Sequence, residues 1–169
     1  MPSRISLLHA TYKAGTPAVL VRNTWIQTAD APDSVEHIFA LDADDLPSLR
    51  ATEPYRRVVN PPSPDRISAV RNWNSAAAVA RGDLLFAIAD DLLPPPHWDS
   101  TLRSVVGSLE ARTFSFAICV AQRAQDPTHL RHPIVSRRFY TRFGLLSPEY
   151  TGMYCDDGQY DHGLYPPSS

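Results

Sequence analysis

The stretch SAVRNWNSAAAVARGDLLFAIADDLLPPPHWD, residues 68–99, carries two hydrophobic patterns back to back. Extended back to Arg66, it places Ile67, Val70, Asn74, Ala77 and Ala78 near helical spacing and stops at Gly82, which reads as a helix C-terminal cap. DLLFAIA, residues 83–89, is continuously apolar over the length of one strand. A strand with one wet face would alternate, so this one is expected to be buried on both faces, as in a parallel sheet. It delivers Asp90 and Asp91 at its carboxyl end, and the prolines of LPPP, residues 93–96, stop it. Trp98, Leu102, Val105, Val106 and Leu109 then form one apolar helix face, with Trp98 expected in the core.

The same alternation continues outward. RISLLHA (4–10) reads as a buried first strand, TYKAG (11–15) as its loop, and Thr16 as the N-cap of a helix with Pro17 at its first position, running to about Thr28. SVEHIFAL (34–41) reads as a second strand that runs into Asp42, Asp44 and Asp45, and YRRVVN (55–60) as a short third. PPSPD (61–65) is a loop, because its prolines lack donors and restrict their neighbours. FSFAICVA (114–121) reads as a further strand. Strands alternating with helices predict an α/β fold of three layers, Rossmann-like, with a mostly parallel central sheet and helices on both faces. A length of 169 residues fits one domain, 1–169.

Composition excludes more than it selects. At 43% hydrophobic, 20% charged and a formal charge of -2, the chain is neither a disordered segment nor a general polyanion binder. Lys13 is the sole lysine among 16 basic residues, a bias that genome composition explains as readily as phosphate binding. MPSRISLLHA has neither the apolar length nor the cleavage site of a signal peptide, and no run approaches the roughly 18 apolar residues of a membrane span, so a cytoplasmic protein is expected. Cys119 and Cys155 are too few for a disulfide framework and are expected to be reduced.

In an open α/β sheet, ligands bind beyond the carboxyl ends of the strands. Those ends gather TYKAG, Asp42 to Asp45, and Asp90-Asp91. Bare carboxylates repel a diphosphate, so acidic residues at a phosphate site imply a hard cation, Mn²⁺ or Mg²⁺, held by one or two carboxylates and the phosphates themselves. As a dipeptide, Asp90-Asp91 reads first as a solvated turn; its place at the end of a buried strand gives it weight as a site.

Residues 68–99 resemble the central block of GT-A glycosyltransferases of the inverting, family-2-like kind, in a compact form. In that block an Arg-Asn helix and an Ala-x-Gly-Asp step lead through a strand into an acidic metal motif. ISLLHATYKAG (5–15) is similar to the family's first strand and nucleotide loop, and HIFALDADD (37–45) to its second strand with a base-recognising aspartate. HPIVSRRFYTRFG (132–144) and YTGMYCDDGQYDHG (150–163) resemble the acceptor-side region and a late acidic segment.

The resemblance implies a nucleotide-sugar donor, UDP-linked by default, and an acceptor hydroxyl of unspecified origin. It assigns His9, Thr11 and Tyr12 to the nucleotide loop, Asp42 to the base or ribose with Asp44 beside it, and Arg71 to the diphosphate. Asp90 and Asp91 become metal ligands, His162 a third ligand, and Asp156 or Asp157 the general base for the acceptor hydroxyl. Ile88 or Ala89 stands where the family often has a further aspartate, which implies a half-built metal site completed by the donor.

Other readings of these residues stay open. Asp156 and Asp157 equally fit a helix N-cap. Arg137, Arg138 and Arg142, interleaved with Phe139, Tyr140 and Phe143, read as a half-buried helix with solvated arginines, or as a surface for a nucleic-acid acceptor. The chain ends soon after the late acidic motif, so a partner subunit, a homo-oligomer contact or a polymeric acceptor would complete the acceptor wall. A sugar-phosphate nucleotidyltransferase is disfavoured by the glycine-poor TYKAG loop, and a non-catalytic nucleotide- or partner-binding form of the fold is the third reading.

Overall fold

A computed structural model describes residues 3–62, 69–110, 115–120 and 131–148. Six strands form one sheet: β1 (Ile5–Ala10), β2 (Val35–Asp42), β3 (Arg57–Asn60), β4 (Leu84–Ile88), β5 (Ala117–Val120) and β6 (Arg131–Ser136). Their spatial order is β3-β2-β1-β4-β6-β5. The first four run parallel, and β6 lies antiparallel to both β4 and β5. Every residue of β1 and β4 is buried, as a continuously apolar strand inside a parallel sheet must be.

Helices cover both faces. On one lies α3 (Ala69–Val79), where Val70, Trp73, Ala76 and Ala77 pack on Leu8, Ile38, Leu85 and Val135. Two alanines at the contact let the helix axis approach the sheet closely. On the other face lie α1 (Thr16–Gln27) and α4 (Trp98–Glu110), with Val21, Trp25, Trp98, Leu102 and Val106 against Ile5, Leu7, Leu84, Phe86 and Ile134. Trp98 is core, as expected, and its indole donates to the Trp25 carbonyl at 2.9 Å while Trp25 donates to that of Leu92 at 2.8 Å. Val105, expected on the apolar face, is 44% exposed, because Leu102 and Val106 already fill the contact.

Four local expectations change. Thr16 is the first helical residue and is exposed; Gly15, at φ 57° and ψ −123°, occupies the cap. Only glycine enters that backbone region without strain, and its N–H donates to Ser48 Oγ at 3.0 Å instead of awaiting a side-chain cap. A short helix, α2 (Leu46–Ala51), follows Asp45, whose Oδ1 accepts from the Ser48 N–H at 3.2 Å; Asp45, gathered with the other carboxylates at this edge, is thus a buried helix cap. HPIVS joins the sheet as β6, and Ser136 caps α5 (Arg137–Phe143) by accepting from the Phe139 N–H at 3.2 Å. Arg138 and Arg142 are exposed, but Arg137 is committed to the fold: it donates to the carbonyls of Ala80 at 2.9 Å and Gly82 at 2.8 Å.

Gly82 is the fourth case. Helix α3 has ended at Val79, and Gly82 serves close approach instead of helix capping. A Cβ there would sit 2.5 Å from Ser6 Oγ, 2.7 Å from Ser6 N and 2.9 Å from the Arg4 carbonyl oxygen. The free space is taken by a hydrogen bond from the Gly82 N–H to Ser6 Oγ at 2.8 Å. Ser6 in turn donates to the buried Glu36 at 2.6 Å, which also accepts from the Arg81 N–H at 2.8 Å and pairs with Arg56.

At the opposite border, α4 is tied to the chain leaving α1. Buried Asp99 accepts from the N–H groups of Asp30 at 2.8 Å and Ala31 at 3.0 Å and pairs with Arg103. Exposed His97 meets Asp30 at 2.6 Å, a hydrogen bond that raises the histidine pKa above its ordinary 6.5. Hydrogen bonds from Ser100 and then His97 lower that of Asp30.

Three outcomes are expected from these contacts and from the open face of α4. Gly82→Ala lowers the unfolding free energy by about 1–3 kcal/mol, because two of the three atoms it meets are backbone. Gly107→Ala, in the exposed face of α4 with nothing within 4 Å, raises it by about 0.5–1 kcal/mol, both read by urea denaturation. In an NMR titration His97 loses its proton above pH 6.5, and Asp30→Asn returns it towards that value. The His97 contribution to stability is therefore full below pH 6.5 and fades as pH rises through the raised pKa; that of Asp30 is present above its ordinary 3.8 and fades only as pH falls through the lowered one.

Candidate functional site

The carboxyl ends of β2, β1 and β4 stand side by side, and two polar clusters form there on opposite faces of the sheet. Parallel pairing aligns His9 with Phe39 on β2 and with Ile88 on β4, so the residues just beyond β4 pass over the end of β1. Asp90 turns back onto that end. Its Oδ1 lies 2.9 Å from His9 Nε2, and its Oδ2 accepts from Thr11 Oγ1 at 3.0 Å. His9 Nδ1 lies 3.0 Å from His37 Nε2. His9 is fully enclosed, Thr11 is 2% exposed, and the Asp90 side chain keeps 28% of its surface in solvent. Burial above all, with the positive charge of Arg22 nearby, holds the His37 pKa well below the ordinary histidine value, so His37 is neutral near pH 7.

The second cluster sits on the α3 face. Asp42, 1% exposed, accepts at Oδ1 from Arg71 at 2.7 Å and from Asn72 Nδ2 at 3.1 Å. Asn60 Nδ2, at the end of β3, donates to Asn72 Oδ1 at 2.7 Å and lies 2.8 Å from Ser75 Oγ. The chain beyond α5 is held to the same helix by Asn74, which donates to the Leu146 carbonyl at 2.8 Å and accepts from its N–H at 3.1 Å.

Between the clusters runs the loop after β1. The Lys13 N–H donates to Asp45 Oδ2 at 2.6 Å, which fixes the loop to the start of α2. Tyr12 is half-buried, with the Lys13 ammonium 4.9 Å from its ring centre. Asp44 and Asp91 are exposed.

Eight of the expected site residues thus collect along one edge: His9, Thr11, Tyr12, Asp42, Asp44, Arg71, Asp90 and Asp91. Three of them hold other residues in place. His9 and Thr11 face Asp90 and present almost no surface to a ligand, and the Asp42 oxygen nearest α3 is occupied by Arg71 and Asn72. Asp156, Asp157 and His162 lie outside the described residues. Sequence reasoning passed over His37, Asn60 and Asn72. A histidine inside an otherwise apolar strand, and the asparagine after Arg71, were the available signals.

A divalent cation suits the Asp90 side of the edge. Each carboxylate oxygen has accepted one inward hydrogen bond and retains a lone pair facing outward, and Asp91 adds a second carboxylate in solvent. Among the described residues no three His, Cys, Asp or Glu side chains form a metal cluster, so these residues alone offer an incomplete shell.

No protein-family model and no curated protein matches the sequence. Solved structures do. A mannosyltransferase from Pyrobaculum calidifontis, in complex with GDP-Man and Mn²⁺, superposes with a TM-score of 0.68 at 19% identity, over 93% of this chain and 50% of that one. TarS residues 1–349 from S. aureus gives 0.65 at 12%, over 90% and 53%. Glucosyl-3-phosphoglycerate synthase from Mycobacterium tuberculosis, in complex with UDP, gives 0.55 at 16%, over 83% and 59%. The chain has a GT-A fold. It spans about half the length of the GT-A structures it matches. Among the described residues no helix is long and apolar enough to cross a membrane.

Burial of neutral His37 predicts an acid limb in the stability of this GT-A domain. The unfolded chain binds a proton at His37 near pH 6.5 and the folded chain does not, so stability is full above that pH and falls as pH drops below it. A His37→Phe variant, followed by urea denaturation from pH 7.5 to 5, shows a shallower loss than the parent.

Proposed function

We propose that the chain is the donor-binding unit of a nucleotide-sugar glycosyltransferase that moves a sugar from a nucleoside diphosphate to an acceptor hydroxyl. The observation that carries this reading is the Asp90 carboxylate, anchored by His9 and Thr11 at the carboxyl edge of a GT-A sheet with Asp91 exposed beside it. A nucleotide-sugar donor and Mn²⁺ in the Pyrobaculum calidifontis mannosyltransferase, and UDP in the mycobacterial synthase, support it.

Asp90 and Asp91 would hold Mn²⁺ or Mg²⁺, with the donor phosphates completing the shell. Such a cation neutralises charge on the departing nucleoside diphosphate. Arg71, with 37% of its side chain exposed, stands between buried Asp42 and the edge, where its guanidinium can meet a phosphate or the base while Asp42 and Asn72 fix its position. Tyr12 lines the loop above the base, and Asp44 remains free to meet the ribose.

Inversion requires a base on the face of the sugar opposite the leaving group, and Asp156 or Asp157 is the proposed group, with His162 as a further metal ligand. UDP is the first donor to test and GDP the second. Location in the cytoplasm is part of the same reading.

Calorimetry and product analysis with UDP-, GDP- and TDP-sugars, with and without Mn²⁺, test the reading. Metal-dependent binding is expected, reduced at least about tenfold in Asp91→Asn. Asp156→Asn and Asp157→Asn are expected to retain donor binding, with one of them losing transfer; full activity in both removes the base from this segment. Binding without turnover would assign the chain as a binding module, and absence of binding by every nucleotide would end the transferase reading.

A further inference from the structure

The polar atoms of the His37–His9–Asp90 chain leave little freedom for their protons. Among the described residues His37 Nδ1 is buried without a hydrogen-bond partner, while its Nε2 faces His9 Nδ1 at 3.0 Å. A buried N–H without an acceptor is far costlier than a buried lone pair without a donor, since an imidazole nitrogen lone pair is the weaker hydrogen-bonding loss. A neutral His37 therefore carries its proton on Nε2 and donates to His9. His9 Nδ1 is then an acceptor, and the remaining His9 proton lies on Nε2, pointing at Asp90 Oδ1 2.9 Å away. Thr11 supplies the second donor, to Oδ2.

We propose that His37 and His9 form a one-way chain of hydrogen-bond donors, from His37 Nε2 to His9 and from His9 Nε2 to Asp90, that orients Asp90 for a cation, which makes His9 a positioning residue. This role rests on the metal-dependent reading given above. The opposite arrangement, with neutral His9 donating from Nδ1 to His37, would turn the bare Nε2 lone pair of His9 onto the Asp90 carboxylate. The one-way order avoids that clash, and His9 and Thr11 together fix the carboxylate plane. Burial of both imidazoles supports the same arrangement, since it depresses the His37 pKa and disfavours a charged ring there. Rings further restrict the geometry. His9 lies 4.9 Å from Phe39 and His37 4.4 Å from it, centre to centre, so both imidazoles are wedged against one phenyl ring and hold their orientation.

The first test needs neither metal nor activity. Long-range ¹H–¹⁵N NMR on the labelled protein, with signals assigned by His9→Phe and His37→Phe, is expected to show both rings as neutral Nε2–H tautomers near pH 7.5. An Nδ1–H tautomer or an imidazolium at His9 overturns the proposal. The second test measures nucleotide affinity by calorimetry with and without Mn²⁺. His9→Phe is expected to lose about tenfold in the Mn²⁺-dependent part only, and His9→Gln, which restores an N–H donor, to recover part of it. A loss of less than about twofold in folded His9→Phe overturns the role. Should His9→Phe not fold, the tautomer measurement on the unaltered protein decides. If that protein binds no nucleotide with Mn²⁺, the transferase reading and the cation role fall together, while the NMR result still tells whether the chain of donors exists.

Discussion

Strand β4 lies against β1 at sheet distance only because Gly82, at the turn that leads into it, has no side chain to collide with Ser6 and Arg4. The Asp83 and Leu84 N–H groups both donate to the Arg4 carbonyl, at 2.7 and 3.1 Å, and Arg137 closes the turn from the other side. This contact at the amino end of the strands sets the register that pairs His9 with Ile88 at their carboxyl end. Two residues later the chain reaches Asp90, which is why its carboxylate falls on His9 and Thr11 and not on open solvent. The site is thus positioned by a contact at the far end of the same pair of strands.

The two polar clusters at the carboxyl edge divide because successive residues of a strand point to opposite faces. His9 and His37 share the face of α1, whereas Asp42 meets α3 through Arg71 and Asn72. Each cluster spends buried donors and acceptors on holding one side chain in place: Asp90 in the first, Arg71 in the second. Buried polar groups are costly when unmet, so such networks behave as rigid supports whose loss is felt as misplacement at the edge. Exposed Asp91 and Asp44 have no such support among the described residues.

Much of the fold was legible in particular runs. RISLLHA and DLLFAIA read as buried strands, the second because it is apolar without alternation, and the strands within them, β1 and β4, are wholly buried. Trp98 was read into the core from its helical period. Where the reading failed, a competing demand had the same residue signature. Gly82 looked like a helix cap because glycine serves caps and close approaches alike. Asp45 looked like one of several loop carboxylates, although Asp-Leu-Pro-Ser is also a helix start. HPIVS is too short and too interrupted by proline to announce β6, and it becomes a strand because β4 and β5 offer it partners on both sides.

The sequence by itself determined the layered α/β architecture, the order of its parallel strands along the chain, and the delivery of Asp42 and Asp90 to the same edge, since apolar period and turn chemistry are local properties. Only the tertiary structure decided what those carboxylates do. Whether a buried acid meets a histidine, an arginine or a cation depends on which side chains lie across from it, and that is fixed by strand register and helix packing between segments about 30 to 80 residues apart. His9, expected in the nucleotide loop, accordingly emerges as the support beneath Asp90.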